Sequence, residues 1–423
     1  MPISTPATIS FPLDIPQVDV LATKQTRDNK FIITIESRRE TTSCGICKKE
    51  IACTYGHGQA VRLRHLPILG QETYIIIQPR RAQCPTCRNK PTTTQTLKWY
   101  DQRSPHTKAY DRYLMKLLIS STVADVSLKE NLGYDAVLGA LERQVDKEIN
   151  WDAVQNLGTI GIDEVAHKKG HKSYRAVVTA RQDDGTILIL TVLNDRKKTV
   201  SDFLMSIPKR LHSTIHTFCF DMWDGYLGAI AAFMTAHPDI KAKLVIDRFH
   251  VAKTYRDDFD TLRKKEMRRL RQELPEATYK EVVHGMHWVL RHNYDHLNDD
   301  DKVRLRSLFQ YSPLLHQAYT LREELTAIFN MDLGLTEGRR RLEKWSAKVE
   351  RSTLTCFNKF LKTLRNHLDE IANYFDKRAS SGFVEGINNK LKTIARRSYG
   401  LKRVDSLFRR LWLDLNGYRY FIA

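Results

Sequence analysis

Three acidic residues, widely separated in the sequence, could together hold divalent metal ions. Asp163 follows the apolar run "LGTIGI", Asp221 follows "IHTFCF", and Glu385 lies in the basic segment "FVEGINNKLKTIARRSYG". Mg²⁺ is bound in proteins by a few carboxylates together with water and phosphate oxygens. Two such ions about 4 Å apart stabilise both the attacking and the leaving oxygen of a phosphoryl transfer. One acid at a strand end usually only caps the strand or faces solvent, but three at matching positions favour a catalytic Mg²⁺ (or Mn²⁺) site. Two neighbouring acids are alternative ligands: Glu164 and Asp224.

The segment around Glu385 combines an acid with amides and basic groups on one helical face. Glu385, Asn388, Asn389 and Lys392 are spaced i, i+3, i+4 and i+7, which places them on the same side of a helix. Such a face is unlike a core stripe, and its polar groups suit phosphate contacts. The residues predicted to contact a nucleic-acid backbone are Asn388, Asn389, Lys392, Arg396, Arg397, Lys402 and Arg403.

The motif "VIDRFHVAK" places Asp247 and His250 at a predicted strand-to-helix junction. Two interpretations are open. In the first, Asp247 is the N-cap of the helix and His250 is a partly buried structural residue. In the second, the pair lies at the edge of the active site and orients its ligands or the substrate.

Two Cys-x-x-Cys pairs indicate a second kind of metal site. They are Cys44 with Cys47 and Cys84 with Cys87, separated by 84 − 47 − 1 = 36 residues. In a large intracellular protein such pairs point to metal binding and not to disulfides. Four thiolates suit tetrahedral Zn²⁺ and leave no open position, so the pattern predicts a structural zinc site. Three residues between the pairs are possible substitutes: Cys53, His57 and His65.

The elements predicted around Asp163 and Asp221 would bring these two acids together. The runs "SYRAVVTAR" and "TILILTVL" flank Asp184 and Gly185, a favourable hairpin turn. The predicted order is three strands, helix, strand, helix, strand, with antiparallel strands first and parallel crossovers later. That order is typical of the RNase H-like arrangement, in which the strands carrying the two acids are neighbours. The run "VSDFLMSIPKRL" is helix-like despite Pro208, and no internal repeat is apparent in the chain.

The composition favours a polyanionic partner. The chain has 68 Lys and Arg against 49 Asp and Glu, a formal charge of +19, which is typical of nucleic-acid binding, with solubility alone as the alternative. No apolar run approaches the roughly 20 residues of a spanning helix. The first residues lack the basic start and apolar core of a signal peptide. We therefore expect no membrane association and a cytoplasmic location.

The chain is predicted to be a multidomain α/β protein. Two helices separated at Gly133, the second capped by Asp135, match a helix-turn-helix, although other helical hairpins share this pattern. The positive charge favours DNA recognition by this region. The predicted domains are a zinc-binding domain (1–100), a helix-turn-helix (101–152), the first part of an RNase H-like catalytic core (153–255), an all-helical insertion (256–378) and the last part of the core with the Glu-bearing helix (379–423).

Taken in order, the motifs resemble those of insertion-sequence transposases of the acidic-triad (DDE) class, specifically the ISL3 family. The paired Cys-x-x-Cys motifs, "IGIDEVAHKKG", "CFDMWDGY", "VIDRFHVAK" and "FVEGINNKLKTIARRSYG" carry a resemblance that covers nearly the whole chain. It implies an RNase H-like core, interrupted by a helical insertion before the final Glu, with Asp163, Asp221 and Glu385 as the triad. Asp247 and His250 resemble a D-x-x-H signature of related transposases, and Lys392 has the family's spacing from the Glu.

The resemblance also implies a function and partners. A DNA transposase would bind the terminal inverted repeats of its element and carry out Mg²⁺-dependent DNA cleavage and strand transfer. Its partners would be double-stranded DNA, as transposon ends and target, in the bacterial cytosol or nucleoid. Because an element has two ends, we expect a homodimer or a larger assembly. The alternatives are a transposase-derived DNA-binding regulator without catalysis and a stand-alone metal nuclease.

Overall fold

Contacts divide the chain into two units. The structure, a computed structural model, describes residues 12–166, 174–193, 198–376, 382–397 and 403–422. The first unit comprises Met1–Lys147 with Trp412–Ala423, and the second comprises Glu148–Leu411. The chain is thus a mixed α/β protein of more than one unit, as predicted. Among the described residues, the helices all lack the length and apolar character needed to span a bilayer.

The first unit begins with eight strands in three small sheets. They are β1 (Val18–Gln25), β2 (Phe31–Ser37), β3 (Thr41–Ser43), β4 (Glu50–Ala52), β5 (Val61–Ile68), β6 (Gln71–Ile77), β7 (Arg81–Gln83) and β8 (Thr92–Thr94). The four longer strands form one sheet in the order β1-β2-β6-β5, with β2 and β6 parallel and the outer pairs antiparallel. The pairs β3-β4 and β7-β8 form separate short antiparallel ribbons.

This unit repeats one order of elements, which the sequence analysis missed. A long hairpin (β1-β2 or β5-β6) is followed each time by a short ribbon (β3-β4 or β7-β8) whose turn carries one Cys-x-x-Cys pair. The two central strands also share one alternating burial pattern, in which buried Ile33 and Ile35 of β2 correspond to buried Thr73 and Ile75 of β6. The expectation of no internal repeat was wrong. The two halves have the same pattern of burial and strand pairing but few identical residues, so the repeat is not visible as sequence similarity.

Three helices follow, α1 (Lys108–Leu118), α2 (Val123–Glu130) and α3 (Tyr134–Gln144). The break between α2 and α3 lies where it was predicted, but the caps differ. Asn131 ends α2 in a left-handed conformation, and Gly133 is the N-cap of α3, so that Asp135 lies in the first turn. There a carboxylate can interact favourably with the helix dipole without capping the helix.

The second unit contains a five-stranded sheet. Its first elements are β9 (Gly158–Ala166), β10 (Tyr174–Arg181), β11 (Ile187–Leu193), α4 (Lys198–Met205), α5 (Lys209–His212), β12 (Ile215–Phe220), α6 (Asp224–Ala236) and β13 (Lys243–Ile246). The strand order is β11-β10-β9-β12-β13, antiparallel from β11 to β9 and parallel from β9 to β13. The predicted order of strands and helices is confirmed, except that Pro208 divides the predicted single helix into α4 and α5. Proline has no backbone N–H and cannot continue a helix hydrogen-bond ladder.

The remaining described elements are helical. They are α7 (Arg248–Glu273), α8 (Glu276–Val283), α9 (Met286–Val289), α10 (Asp299–Tyr311), α11 (Pro313–Asn330), α12 (Leu335–Glu350), α13 (Asn358–Asn366), α14 (Leu368–Ala372), α15 (Gly382–Arg397) and α16 (Val404–Gly417). The described part of 256–378 therefore contains helices and no strand, as predicted. The boundary placed after residue 255 falls inside α7.

Both ends of this helical block are tied to the sheet. At its start, α7 follows β13 directly. At its end, the Asn373 side-chain amide donates to the backbone oxygen of Leu244 in β13 (2.9 Å), and Arg248 donates to the hydroxyl of Tyr374 (3.1 Å). The helices and the sheet also share one hydrophobic core. The chain thus returns to the sheet shortly before α15 begins.

The end of the chain belongs to another core than the one predicted. The sequence analysis assigns 379–423 to the catalytic core, whereas in the structure Leu413 and Phe421 pack with the apolar side chains of α1, α2 and α3. An amphipathic pattern identifies apolar positions, but it does not specify which core receives them.

Gly158 is expected to be one of the least replaceable glycines of the sheet. It starts β9 with a φ of +56°, and a Cβ there would lie 2.3 Å from the backbone oxygen of Arg181 in β10. Left-handed backbone costs an L-residue about 1–2 kcal/mol, and the clash adds about 1–3 kcal/mol. We expect Gly158→Ala to lower the free energy of unfolding by about 2–5 kcal/mol in urea titrations.

Gly185 provides the matched control. It has a φ of +85° in the β10-β11 turn, but no atom lies within 4 Å of its virtual Cβ. Gly185→Ala should therefore cost only the backbone term, about 1–2 kcal/mol. Equal losses in the two variants would show that the close approach of β9 and β10 is not what makes Gly158 necessary.

Candidate active site and cysteine cluster

Asp163 and Asp221 lie side by side on neighbouring parallel strands. Ile162 pairs with Phe220 in the register of β9 and β12, so the residue that follows each of them reaches the same edge of the sheet. Asp163 is buried and Asp221 is half-buried. Asp221 directly follows β12, as predicted, but Asp163 lies inside β9, which extends to Ala166. The predicted convergence of the two carboxylates is confirmed.

His250 completes a cluster with these two acids. Its Nε2 lies 3.4 Å from Asp163 Oδ1, and its Nδ1 lies 3.8 Å from Asp221 Oδ2. One ligand atom from each of the three residues lies within 4.8 Å of the others, and we call this set the carboxylate–histidine cluster. His250 therefore lies at the acids, in agreement with the second of the two interpretations of "VIDRFHVAK".

Asp247 caps the helix that carries His250. Its Oδ1 accepts a hydrogen bond from the Phe249 backbone N–H (2.7 Å), and its own N–H donates to the backbone oxygen of Phe220 (2.8 Å). The N-cap predicted for Asp247 is confirmed. Through these two bonds the first turn of α7, with His250 in it, is fixed to the end of β12.

The electrostatics of the cluster favour a positive charge between the acids. Burial alone lowers the pKa of His250, but its contact with Asp163 and the charges of Asp221, Asp163 and Asp247 outweigh burial and raise that pKa above its ordinary 6.5. Carboxylates this close repel one another unless a cation compensates them. The imidazolium form of His250 supplies such a charge, and a divalent ion would do so more strongly.

The two alternative ligands lie outside this cluster. Glu164 accepts a hydrogen bond from the Tyr226 hydroxyl (3.2 Å). Asp224 lies in the first turn of α6, where its side chain is 89% exposed and 3.5 Å from His367 Nε2. Among the described residues, the group that could hold a metal at this edge contains Asp163 and Asp221 and neither alternative.

Helix α15, which contains Glu385, contacts the same sheet. This helix lies against β9, the strand of Asp163. Ile387, Leu391 and Ile394 are its buried residues. The side chains of Glu385 and Asn388 lie outside the described residues, so the structure places the helix that carries the third predicted carboxylate and not the carboxylate itself.

The predicted phosphate-contacting residues are mostly on the solvent side. Lys392 is half-buried. The exposed members of the predicted set are Asn389, Arg396, Arg397 and Arg403. Lys402 lies outside the described residues.

A second polar strip, not predicted from the sequence, begins next to His250. Phe249, Lys253, Arg256 and Arg263, which we call the α7 strip, are among the residues that line a cavity of about 310 Å³ beside α7, and Asp257 and Asp260 line it as well. The spacing of the α7 strip, i, i+4, i+7 and i+14, was visible in the sequence. It was overlooked because acids such as Asp260, which pairs with Arg263 at 2.7 Å, are interspersed along the same helix.

Comparison with known proteins supports the resemblance suggested by the motifs. The family model of ISL3 DDE transposases, described as "Transposase", matches residues 160–411, which is more than half of the chain. The chain belongs to the ISL3 transposase family. The matched segment of this family member runs from β9 into α16 and includes the carboxylate–histidine cluster.

Two curated transposases are similar over most of their length. The transposase for insertion sequence element IS1001 of Bordetella parapertussis is 28% identical over 361 residues, covering 84% of this chain and 85% of that protein. The transposase for insertion sequence element IS1557 of Mycobacterium tuberculosis is 25% identical over 398 residues, covering 89% and 86%. The similarity to transposases thus extends beyond the segment matched by the family model.

The four predicted zinc ligands of this ISL3-family chain lie together. Cys44 Sγ is 4.0 Å from Cys87 Sγ, and Cys47 Sγ is 3.7 Å from Cys84 Sγ. Four sulfurs around a tetrahedral zinc, each at about 2.3 Å, would be about 3.8 Å apart. The two repeated halves of the first unit each contribute one pair to this cysteine cluster.

The possible substitute ligands are not part of the cysteine cluster. Both ring nitrogens of His65 have other partners, since Nδ1 lies 2.9 Å from Thr107 Oγ1 and Nε2 lies 3.1 Å from the Leu13 backbone oxygen. The backbone of His57 forms an isolated antiparallel β-bridge with Arg80. Neither His57 nor Cys53 belongs to the four-cysteine group whose ligand atoms converge.

The pKa shifts of the thiols favour a bound cation in this cluster. Burial raises the pKa of Cys84, but nearby backbone N–H groups and the adjacent sulfurs outweigh burial and bring that pKa to about 6. The hydrogen bond with Cys47, followed by burial, raises the pKa of Cys87 to about 12. Four crowded thiols therefore do not all ionise unless a positive ion compensates them.

Proposed function

We propose that this chain is a DDE-type DNA transposase with an RNase H-like catalytic core. The observation that carries the proposal is the meeting of Asp163, Asp221 and His250 at one edge of the β11-β10-β9-β12-β13 sheet. The strand order, the helical block after β13 and the return of α15 to β9 support the same fold.

The proposed metal ligands are Asp163, Asp221 and Glu385. Two carboxylates that face each other across a few ångströms suit Mg²⁺ or Mn²⁺, which prefer oxygen ligands. Such ions supply Lewis-acid stabilisation to the attacking and leaving oxygens of phosphoryl transfer. Cleavage at an element's end and transfer of the freed 3′-hydroxyl to target DNA are both in-line phosphoryl transfers, so one set of carboxylates serves both.

The surrounding residues position these ligands and the DNA. His250 contacts both acids and restricts their rotation, and Asp247 holds the turn of α7 that carries His250. The basic residues of the α7 strip and of α15 would contact phosphates, because cationic side chains on both sides of a catalytic edge can follow a DNA backbone. Lys392 is the member of α15 with the predicted spacing from Glu385.

The first unit is the proposed reader of the element's ends. The cysteine cluster would hold one structural Zn²⁺ within 1–100, and the helices of 101–152 would form the helix-turn-helix that contacts the terminal inverted repeats. The core halves (153–255 and the part of 379–423 that ends at Leu411) and the helical insertion (256–378) complete the proposed domains, while the residues from Trp412 onward belong to the first unit. Two ends require at least two copies, so the active form would be a homodimer or a larger assembly on DNA in the bacterial cytosol.

The proposal predicts Mg²⁺-dependent strand transfer by the purified full-length chain on DNA carrying the element's own ends. Products joined to target DNA should form with Mg²⁺ or Mn²⁺, should require specific ends, and should be absent with Asp163→Ala. Specific binding of the ends without metal-dependent cleavage by the wild-type chain would identify a DNA-binding regulator and reject the transposase mechanism.

A further inference from the structure

A second group of metal-ligating side chains lies at the other edge of the same sheet. His212 ends α5, three residues before β12 begins, whereas Asp221 follows the last residue of β12. A strand of this length spans about 20 Å, so the two positions are well separated. His237 follows α6, and Asp239 lies in the connection to β13. One ligand atom from each of His212, His237 and Asp239 lies within 4.8 Å of the others, and we call this set the amino-edge cluster.

His212 has a buried nitrogen that lacks a hydrogen-bond partner. Its Nε2 lies 3.0 Å from the backbone oxygen of Ile207, which can only accept, so in the neutral ring this nitrogen carries the proton. The other nitrogen, Nδ1, then presents a lone pair. The side chain is 2% exposed, and Nδ1 has no hydrogen-bond partner. A buried unsatisfied polar atom is costly, and a group at this place that accepts the lone pair would remove the cost.

The neighbour of this nitrogen is a carboxylate and not a donor. Nδ1 of His212 lies 3.7 Å from Asp239 Oδ2, which is too long for a hydrogen bond even if the ring were doubly protonated. Zinc bound tetrahedrally by a nitrogen and an oxygen at about 2.1 Å would hold these two atoms about 3.4 Å apart. The observed separation is therefore near that of two ligands on one ion.

The remaining groups of the cluster also favour a cation. The ring of His237 lies 4.4 Å from that of His212, measured between centroids. His237 is the C-cap of α6, and the C-terminal end of a helix carries partial negative charge. Asp239 is 46% exposed, so water can complete the coordination. Two imidazoles and one carboxylate suit Zn²⁺ and related transition metals more than Mg²⁺, which prefers oxygen ligands.

We propose that His212, His237 and Asp239 form a transition-metal site, typified by Zn²⁺, that is separate from both the catalytic carboxylates and the cysteine cluster. A bound ion there would join the end of α5, the end of α6 and the connection that leads to β13. It would stabilise the folded second unit in proportion to its occupancy. This site does not depend on the proposed transposition chemistry.

Metal binding by the full-length chain tests this proposal without measuring transposition. Zn²⁺ and Co²⁺ are titrated in excess Mg²⁺, which occupies oxygen-rich sites, into the wild-type chain, Asp239→Asn and His237→Gln. We expect the wild-type chain to bind one metal ion in the cysteine cluster and one further ion in the amino-edge cluster. Each variant should bind this further ion at least tenfold more weakly. With Co²⁺ this further ion should show d–d bands without the intense thiolate charge-transfer absorption of a cysteine site.

His216→Gln is the matched control. His216 and Asp183 form an exposed pair 3.4 Å apart on the same unit, each 58% exposed, so this variant removes a histidine near an acid without touching the cluster. The His216→Gln variant should still bind the further metal ion at the amino-edge cluster. A Zn²⁺-dependent rise in the melting temperature should be present in the wild type and His216→Gln and reduced in Asp239→Asn. Equal metal binding in the wild type and Asp239→Asn, or loss of the further ion in His216→Gln, would overturn the proposal.

Discussion

Replacing Asp221 by asparagine is expected to lower metal-dependent strand transfer by about a thousandfold or more while leaving binding to the element's ends intact. Asparagine keeps the size of the side chain but removes the charge that would hold a divalent ion beside Asp163. Stabilisation of phosphoryl transfer by such ions is worth several kcal/mol, and about 4 kcal/mol corresponds to a thousandfold in rate. Quantified strand-transfer products and gel-shift titrations on the same end DNA measure the two quantities.

Asp224→Asn is the appropriate control for this prediction. Asp224 is three residues away in the same motif, but its side chain is exposed and is not part of the carboxylate–histidine cluster. We expect this variant to keep activity within a few fold of the wild type. If Asp221→Asn retained more than a tenth of the wild-type rate, Asp221 would not be a metal ligand of the reaction.

Removal of one sulfur from the cysteine cluster is expected to abolish the zinc-bound fold around it. Cys84 is buried and its sulfur lies 3.7 Å from that of Cys47, so Cys84→Ser removes one of the four converging sulfurs that would bind zinc. Structural zinc sites supply about 10–16 kcal/mol of binding energy that is coupled to folding. We expect less than about 0.2 zinc per chain at this cluster, unfolding of the two short ribbons and at least a hundredfold weaker binding of the element's ends.

Cys53→Ser is the matched variant for the zinc prediction. Cys53 lies in the same region and is half-buried against the cysteine cluster, but its sulfur is not one of the four that converge. The Cys53→Ser variant should keep both the zinc content of the cysteine cluster and the affinity for the element's DNA ends. Metal analysis together with Co²⁺ absorption distinguishes this cluster from the amino-edge cluster, because only thiolates give intense charge-transfer bands. Full zinc occupancy of the thiolate site in Cys84→Ser would contradict the four-sulfur assignment.

The five-stranded sheet was predictable because its signals are local and its geometry is general. Apolar runs bounded by turns indicated the strands, and the alternation of strands and helices indicated which strands are parallel. Parallel neighbours end at the same edge, so the sequence alone predicts that Asp163 and Asp221 lie together. The end of β9 was predicted a few residues too early, because the strand continues past Asp163 and Glu164, and strand patterns do not distinguish such acids from the start of a loop.

Other features depended on contacts that no local pattern encodes. His250 lies between two acids that are distant in sequence, and its position results from the direct passage of β13 into α7. The sequence offered four cysteines and three substitutes, and only the packing of the two ribbons showed that the four sulfurs meet. The placement of Leu413 and Phe421 in the first unit follows from tertiary packing in the same way.

The placement of Glu385 with the two aspartates is the central claim about the active site, and metal-directed cleavage of the protein tests it most directly. Fe²⁺ bound in place of Mg²⁺, with ascorbate and peroxide, generates radicals that cut the polypeptide next to the ion. The full-length chain on end DNA should be cut near Asp163, near Asp221 and within Gly382–Arg397, and excess Mg²⁺ should suppress all three cuts. Cuts near the two aspartates with none within Gly382–Arg397 would contradict the proposed triad.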